Sequence, residues 1–193
     1  MDQAKFDNTV LYLLRRCFPA QPGLTSLLKM LYFADYEHYR QFLSPITGAP
    51  YVALERGPVV NNYREVFKQM VEDGVVTLFE ATNIGQQEKT MQYRPAKEPD
   101  VSMFSATEKE ILDQVVKEHG ADSGADLSEK THLDGPWSLV WDSHYPGLPI
   151  PYALFRWLDN MPDEDDLLEA KRHLESRPDV LNRIEELQTS ASK

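Results

Sequence analysis

Apolar residues recur at helical spacing through the first part of the chain. Phe6, Val10, Leu13, Leu14 and Cys17 stand at i, i+4, i+7, i+8 and i+11, which predicts a helix over residues 4–17. Pro19, Pro22 and Gly23 end it. A longer helix follows over residues 24–42, with Leu24, Leu27, Leu28, Leu31 and Ala34 on one stripe. Thr25 or Ser26 can cap its free N–H groups. Carried forward, the stripe reaches Asp35, His38 and Phe42. An acid and an imidazole thus fall where the pattern calls for core residues. A buried carboxylate needs a compensating partner, and His38, Tyr51 and Arg56 are the candidates.

The pattern then breaks. Pro45, Gly48 and Pro50 force a turn, and Gly57-Pro58 punctuates again, so residues 43–60 read as a loop. A third helix, capped near Asn61 or Asn62, buries Tyr63, Val66, Phe67 and Met70 and stops at Gly74. The period next changes to that of strands. Residues 75–79 are rich in β-formers and residues 91–94 can return antiparallel, with a polar tip over 83–90. Ser105 and Glu108 form a capping-box pattern before a helix that buries Ile111, Leu112, Val115 and Val116 and ends at Gly120. A short helix over 121–133, a turn holding Trp137 and Trp141, and a proline-rich loop lead to a helix opened by Pro151. Two amphipathic helices follow Pro162 and Pro178. The first runs from Asp163, Glu164, Asp165 and Asp166 to Lys171, Arg172 and His173, signs that match the helix dipole. The predicted fold is α+β and mostly α-helical, with about seven helices around the central one and one β-hairpin. The predicted domains are residues 1–160 and a helical extension over 161–193.

Charge narrows the function. The formal net charge is −11, and residues 1–70 hold eight bases against six acids, so the acidity lies in the later part. Phosphate binding wants clustered Lys and Arg, so nucleic acid is not the expected partner. The helix–helix–hairpin order is also the outline of a winged-helix DNA reader, but the hairpin tip carries no basic cluster. No apolar run reaches the length of a membrane span, and the N-terminus lacks the pattern of a signal peptide. The single cysteine, Cys17, cannot pair within the chain, which fits a reducing cytoplasm.

Candidate chemistry is sparse. No GxSxG, P-loop, HExxH or glycine-rich dinucleotide loop occurs, so the expectation is a non-enzyme without a cofactor. Asp35 and His38 could offer two metal ligands from one helix, with His132 as a distant third. Two adjacent ligands and a distant one are a weak set, and a hydrogen-bonded buried network accounts for them better. No metal is expected. The central helix carries Tyr32, Phe33, Tyr36, Tyr39 and Phe42 on more than one face. Tyr36 and Tyr39 lie off the main stripe and are the candidates for a contact surface.

The run LLKMLYFADYEHYRQFLSPITGAPYVALERGPV resembles the SocA-like antitoxin (Panacea) family. That family shows a K-L-L-Y-F-A-D helix, then P-I-T-G, then Y-x5-G-P-V, and all three stand here in order. DLSEKTHLDGPW and the IPYA of residues 150–153 are also similar, and the resemblance covers roughly residues 2–158. It implies a bacterial or phage-borne antitoxin of a type II pair that binds a cognate protein toxin. Alternatives within the family are an adaptor that delivers the toxin to a Clp-type protease, or a phage-associated interaction protein. A homodimer is left open. The expected interface is the loop from Tyr51 through Glu55, Arg56 and Gly57 to Pro58, with Tyr36, Tyr39 and the acidic C-terminal half. Asp35, His38 and Arg56 would be the groups that hold that loop.

Overall fold

The computed structural model describes residues 1–17, 22–82, 89–133 and 135–157. The chain divides into two units, Met1–Leu158 and Asp159–Lys193. The second unit, with the two helices expected there, lies outside the described residues, as does the hairpin tip over 83–88. Among the described residues the fold is α+β and mostly helical.

Seven α-helices and five short strands occur there. Helix α1 spans Gln3–Arg16, α2 Leu24–Phe42, α3 Tyr63–Glu72, α4 Ala106–His119, α5 Gly124–Leu133, α6 Gly135–Val140 and α7 Leu154–Trp157. Helix α2 is the axis of the unit. Every residue from Ser26 to Tyr36 is buried, because α1, α4, α5, α7 and strands from both sheets all pack on it. A helix enclosed on all sides needs no polar face. The predicted stripe is therefore one side of a wholly internal segment. It ends sooner than expected: Phe42 is 45% exposed and lies against the His38 ring.

The capping box before α4 forms as predicted. Ser105 Oγ accepts from the Glu108 N–H, and Glu108 Oε2 accepts from the Ser105 N–H at 2.8 Å. The other Glu108 oxygen takes the Lys5 ammonium at 2.5 Å, so the cap also fastens α4 to α1.

The hairpin predicted from residues 75–79 and 91–94 is strands β3 (Val76–Thr82) and β4 (Lys89–Pro95), paired antiparallel from Val76↔Pro95. The expectation of one hairpin is corrected by a second sheet. Strands β1 (Tyr51–Leu54), β2 (Gly57–Val60) and β5 (Leu148–Ile150) form an antiparallel sheet in the order β2-β1-β5. Tyr51 faces Val60 on one side and Ile150 on the other. Residues 51–60 read as loop because these strands are three or four residues long and contain Gly57, Pro58 and Pro149. Such residues count against a strand, although Pro is tolerated on edge strands, which β2 and β5 are.

Candidate functional site

The sequence places Asp35 on the buried side of α2, and the structure gives it no exposure. Its carboxylate is the hub that ties three segments to the central helix. Oδ1 accepts from the Thr47 N–H at 2.7 Å. Oδ2 accepts from the Thr47 hydroxyl at 2.5 Å and the Tyr51 hydroxyl at 2.8 Å. Tyr152 Oη lies 3.0 Å from the same oxygen and 2.7 Å from Ala49 O. One phenol has one proton, so Tyr152 shares it between the two acceptors. Thr47 comes from the turn after α2, Tyr51 from β1, and Tyr152 from the segment between β5 and α7. Burial pushes the Asp35 carboxyl above its ordinary range, and the Thr47, Tyr51 and Tyr152 hydrogen bonds oppose that shift. Burial and the neighbouring Asp35 together push both phenols up.

Of the three partners expected for Asp35, Tyr51 is present and the other two are corrected. His38 turns away: Nδ1 lies 2.5 Å from Ser44 O and Nε2 3.4 Å from Thr107 Oγ1. Arg56 is exposed on the β1–β2 turn. Thr47 and Tyr152 went unnoticed, although both stand in the PITG and IPYA motifs. Neither hydrophobic period nor charge marks them, because a hydroxyl that satisfies a buried acid leaves no pattern along the chain.

The expected interface residues separate into two groups. Tyr36 is 6% exposed. Its ring stacks on Tyr32 and packs edge-on against Phe155, while the Arg40 guanidinium lies over it. It is a core residue, because α7 covers the face that the stripe left open. Tyr51, Gly57 and Pro58 are buried as well, since β2 lies against α2 and the Tyr51 side chain reaches Asp35 and Tyr32 of that helix. Tyr39 is half-buried against Tyr152 and Phe155. Glu55 and Arg56, the two turn residues, are exposed.

Beneath that turn lies a group the sequence reading passed over. Lys29 of α2 has no exposure, and its Nζ donates to Pro58 O at 2.8 Å. Burial lowers its pKa to about 7. Gly57, with φ of 94°, lies directly over it. A Cβ there would fall 2.6 Å from Lys29 Nζ and also on Thr131 Oγ1. The G-P-V segment thus needs glycine for two reasons: the positive φ, and the closeness of the lysine head. Trp137 Nε1 donates to Leu54 O at 2.9 Å and fixes the other side of the turn. The K of the α2 motif, the G-P-V of the hairpin and the W after α5 therefore meet in space.

A comparison with protein families matches residues 27–138 to the family described as Antitoxin SocA-like, Panacea domain. The chain belongs to this SocA-like antitoxin family. The matched span holds Lys29, Asp35, Thr47, Tyr51, Gly57 and Trp137, so the contacts that hold the Panacea hairpin to α2 lie inside it. Tyr152 lies beyond it. No curated protein and no solved structure matches the chain.

On another side of the unit, α2, α4 and α5 border a groove of about 330 Å³. Phe33, Ile111 and Val115 form its apolar floor, and Glu37, Glu118 and Leu133 stand among its lining residues. Leu133 is 87% exposed. Lys130, also at the groove, is held by Asp122 at 2.6 Å. Among the described residues no group of three or more His, Cys, Asp or Glu could hold a metal ion, and no helix is long and apolar enough to cross a membrane.

Proposed function

We propose that this protein is the antitoxin of a type II toxin–antitoxin pair and neutralises a protein toxin by binding it directly, without chemistry of its own, in the bacterial cytoplasm. The observation that carries this reading is the family match over residues 27–138. The exposed groups support where binding occurs. The interior position of Tyr36, Tyr51, Gly57 and Pro58 turns attention from the hairpin strands to the α2–α4–α5 groove. An apolar floor beside Glu37, Glu118 and an uncovered Leu133 suits a basic, partly apolar segment of the toxin. The net charge of −11 favours such a partner at longer range.

Growth tests this reading. The gene beside this one is expressed from an inducible promoter, alone and together with this chain. The proposal expects arrest alone and growth with the pair. A neighbour that arrests growth equally in both cases, or in neither, overturns it. Delivery of the toxin to a Clp-type protease is the second reading within the family, and toxin levels separate it from blocking.

A further inference from the structure

A second cleft, away from the groove, lies between α2, the β1–β2 turn and α5. It has two lobes, of about 230 and 450 Å³, that share Thr25 and Arg56 as lining residues. The narrower lobe is walled by Leu28, Leu54 and Val59, with Lys29 at its floor. The wider lobe is bordered by Ser128 and His132 of α5.

Three features of this cleft are unexplained by packing. Lys29 is a buried amine whose one hydrogen bond among the described residues goes to a neutral carbonyl, Pro58 O. An ammonium has three protons, and no carboxylate stands against this one. Arg56 is exposed at the junction of the lobes and has no hydrogen bond or ion pair among the described residues. His132 Nε2 is buried and also lacks a partner there, while its ring stacks on Trp137 at 4.0 Å. An unpaired buried polar atom such as His132 Nε2 is rare in native structures, and it stands beside two basic side chains, Arg56 and Lys29, that attract anions. Glu55 is the one acid among the described residues that line the lobes. The cleft thus sets two basic side chains against one acid, in a chain of net charge −11.

We propose that this cleft binds a small oxyanion, the phosphate or carboxylate head of a metabolite, with Arg56 as the direct contact and Lys29 as the charge beneath it. Arg56 offers a planar pair of N–H donors suited to either head group. Lys29 acts through the floor of the narrow lobe, where low dielectric strengthens its field. The hydroxyls of Thr25 and Ser128 and the free nitrogen of His132 are the further polar groups at hand. The apolar walls fit a ligand with a hydrocarbon or ring body behind its head group. This site shares no lining residue with the groove assigned to the toxin, and it would let a metabolite influence the α2–hairpin–α5 junction.

The test is a thermal-shift and calorimetric titration of the full chain with inorganic phosphate, and separately with benzoate, against sodium chloride at matched ionic strength. The expected result is a saturable rise in Tm with at least one anion and none with chloride. Arg56→Gln, a substitution on an exposed turn, should weaken that binding at least tenfold, and Lys29→Met should do the same. Near pH 8 the heat should depend on the buffer, because an anion beside Lys29 draws a proton onto it. Absence of any shift up to millimolar anion overturns the proposal and leaves Lys29 as a structural tie to Pro58. An equal shift in wild type and Arg56→Gln also overturns it, because the anion then binds elsewhere.

Discussion

Tyr51 donates its phenolic proton to Asp35 Oδ2 at 2.8 Å, and both side chains are sealed in the interior. This bond joins the central helix to the first strand of the hairpin. Asp35→Ala would leave the Thr47 N–H, the Thr47 hydroxyl and the Tyr51 hydroxyl without an acceptor. Each unsatisfied buried donor costs roughly 1–3 kcal/mol, partly relieved by water entering the space. A loss of about 3 kcal/mol or more in urea unfolding is expected. Asp35→Asn should cost less, because the hydroxyls of Thr47, Tyr51 and Tyr152 can turn to accept from the amide. Equal losses for both variants would show that the carboxylate charge, not the hydrogen-bond set, is what the site requires.

Gly57→Ala should destabilise the fold by roughly 2–4 kcal/mol, combining left-handed backbone strain with overpacking. The φ of 94° and the approach of both Thr131 Oγ1 and Lys29 Nζ to the site of a new Cβ are the causes. The double variant Gly57→Ala/Thr131→Ala, which removes the nearest clashing atom, should recover part of the packing loss and none of the backbone loss. Full recovery would mean that the clash alone matters.

Lys29 gives a pH signature. Its pKa is lowered from 10.5 unfolded to about 7 folded. Between those values the unfolded chain binds more protons, so stability rises with pH from about 7 towards 10. One proton sets a ceiling of about 1.4 kcal/mol per pH unit. Melting curves of wild type and Lys29→Met at pH 7 and pH 9 should therefore differ in slope, with the methionine variant flatter. Parallel slopes would indicate that Lys29 keeps its charge throughout.

Glu108 works in the opposite direction. Burial alone would raise its pKa, but the Lys5 ammonium and the Ser105 N–H outweigh burial and hold it below the ordinary value of 4.5. Its contribution is present above that value and lost as the pH falls through the lowered one. Glu108→Gln preserves the capping box and removes the charge. It should lose less stability than wild type between pH 6 and pH 3, measured by urea midpoints.

The helical part of this fold was legible in the chain because helix periodicity and caps are local. The α4 capping box needs only Ser105 and Glu108, three residues apart. The site was not legible in the same way. Asp35 announced itself as a polar residue on an apolar stripe, but Tyr152 is 117 positions away and carries no charge to mark it. Tyr36 looked available for contact because the stripe described one face of α2, and α7 covers another. Lys29 was passed over because a lysine in a helix is ordinarily at the surface. Only the closure of the hairpin over it makes it internal.

Leu133 tests the groove. At 87% exposure its replacement by Glu should change stability by about 0.5 kcal/mol or less. Toxin affinity should fall about tenfold or more if Leu133 is an anchor of the interface. An unchanged affinity would move the toxin to another face, with the fold assignment intact.

The most direct test of neutralisation by binding is the mass of the particle formed when this chain and the neighbouring toxin are produced together. The account predicts one complex of fixed stoichiometry by size exclusion with light scattering, holding intact toxin that is inactive until separated. Cells rescued while the toxin band disappears, with this chain eluting alone, would contradict it and assign the protein to delivery for proteolysis.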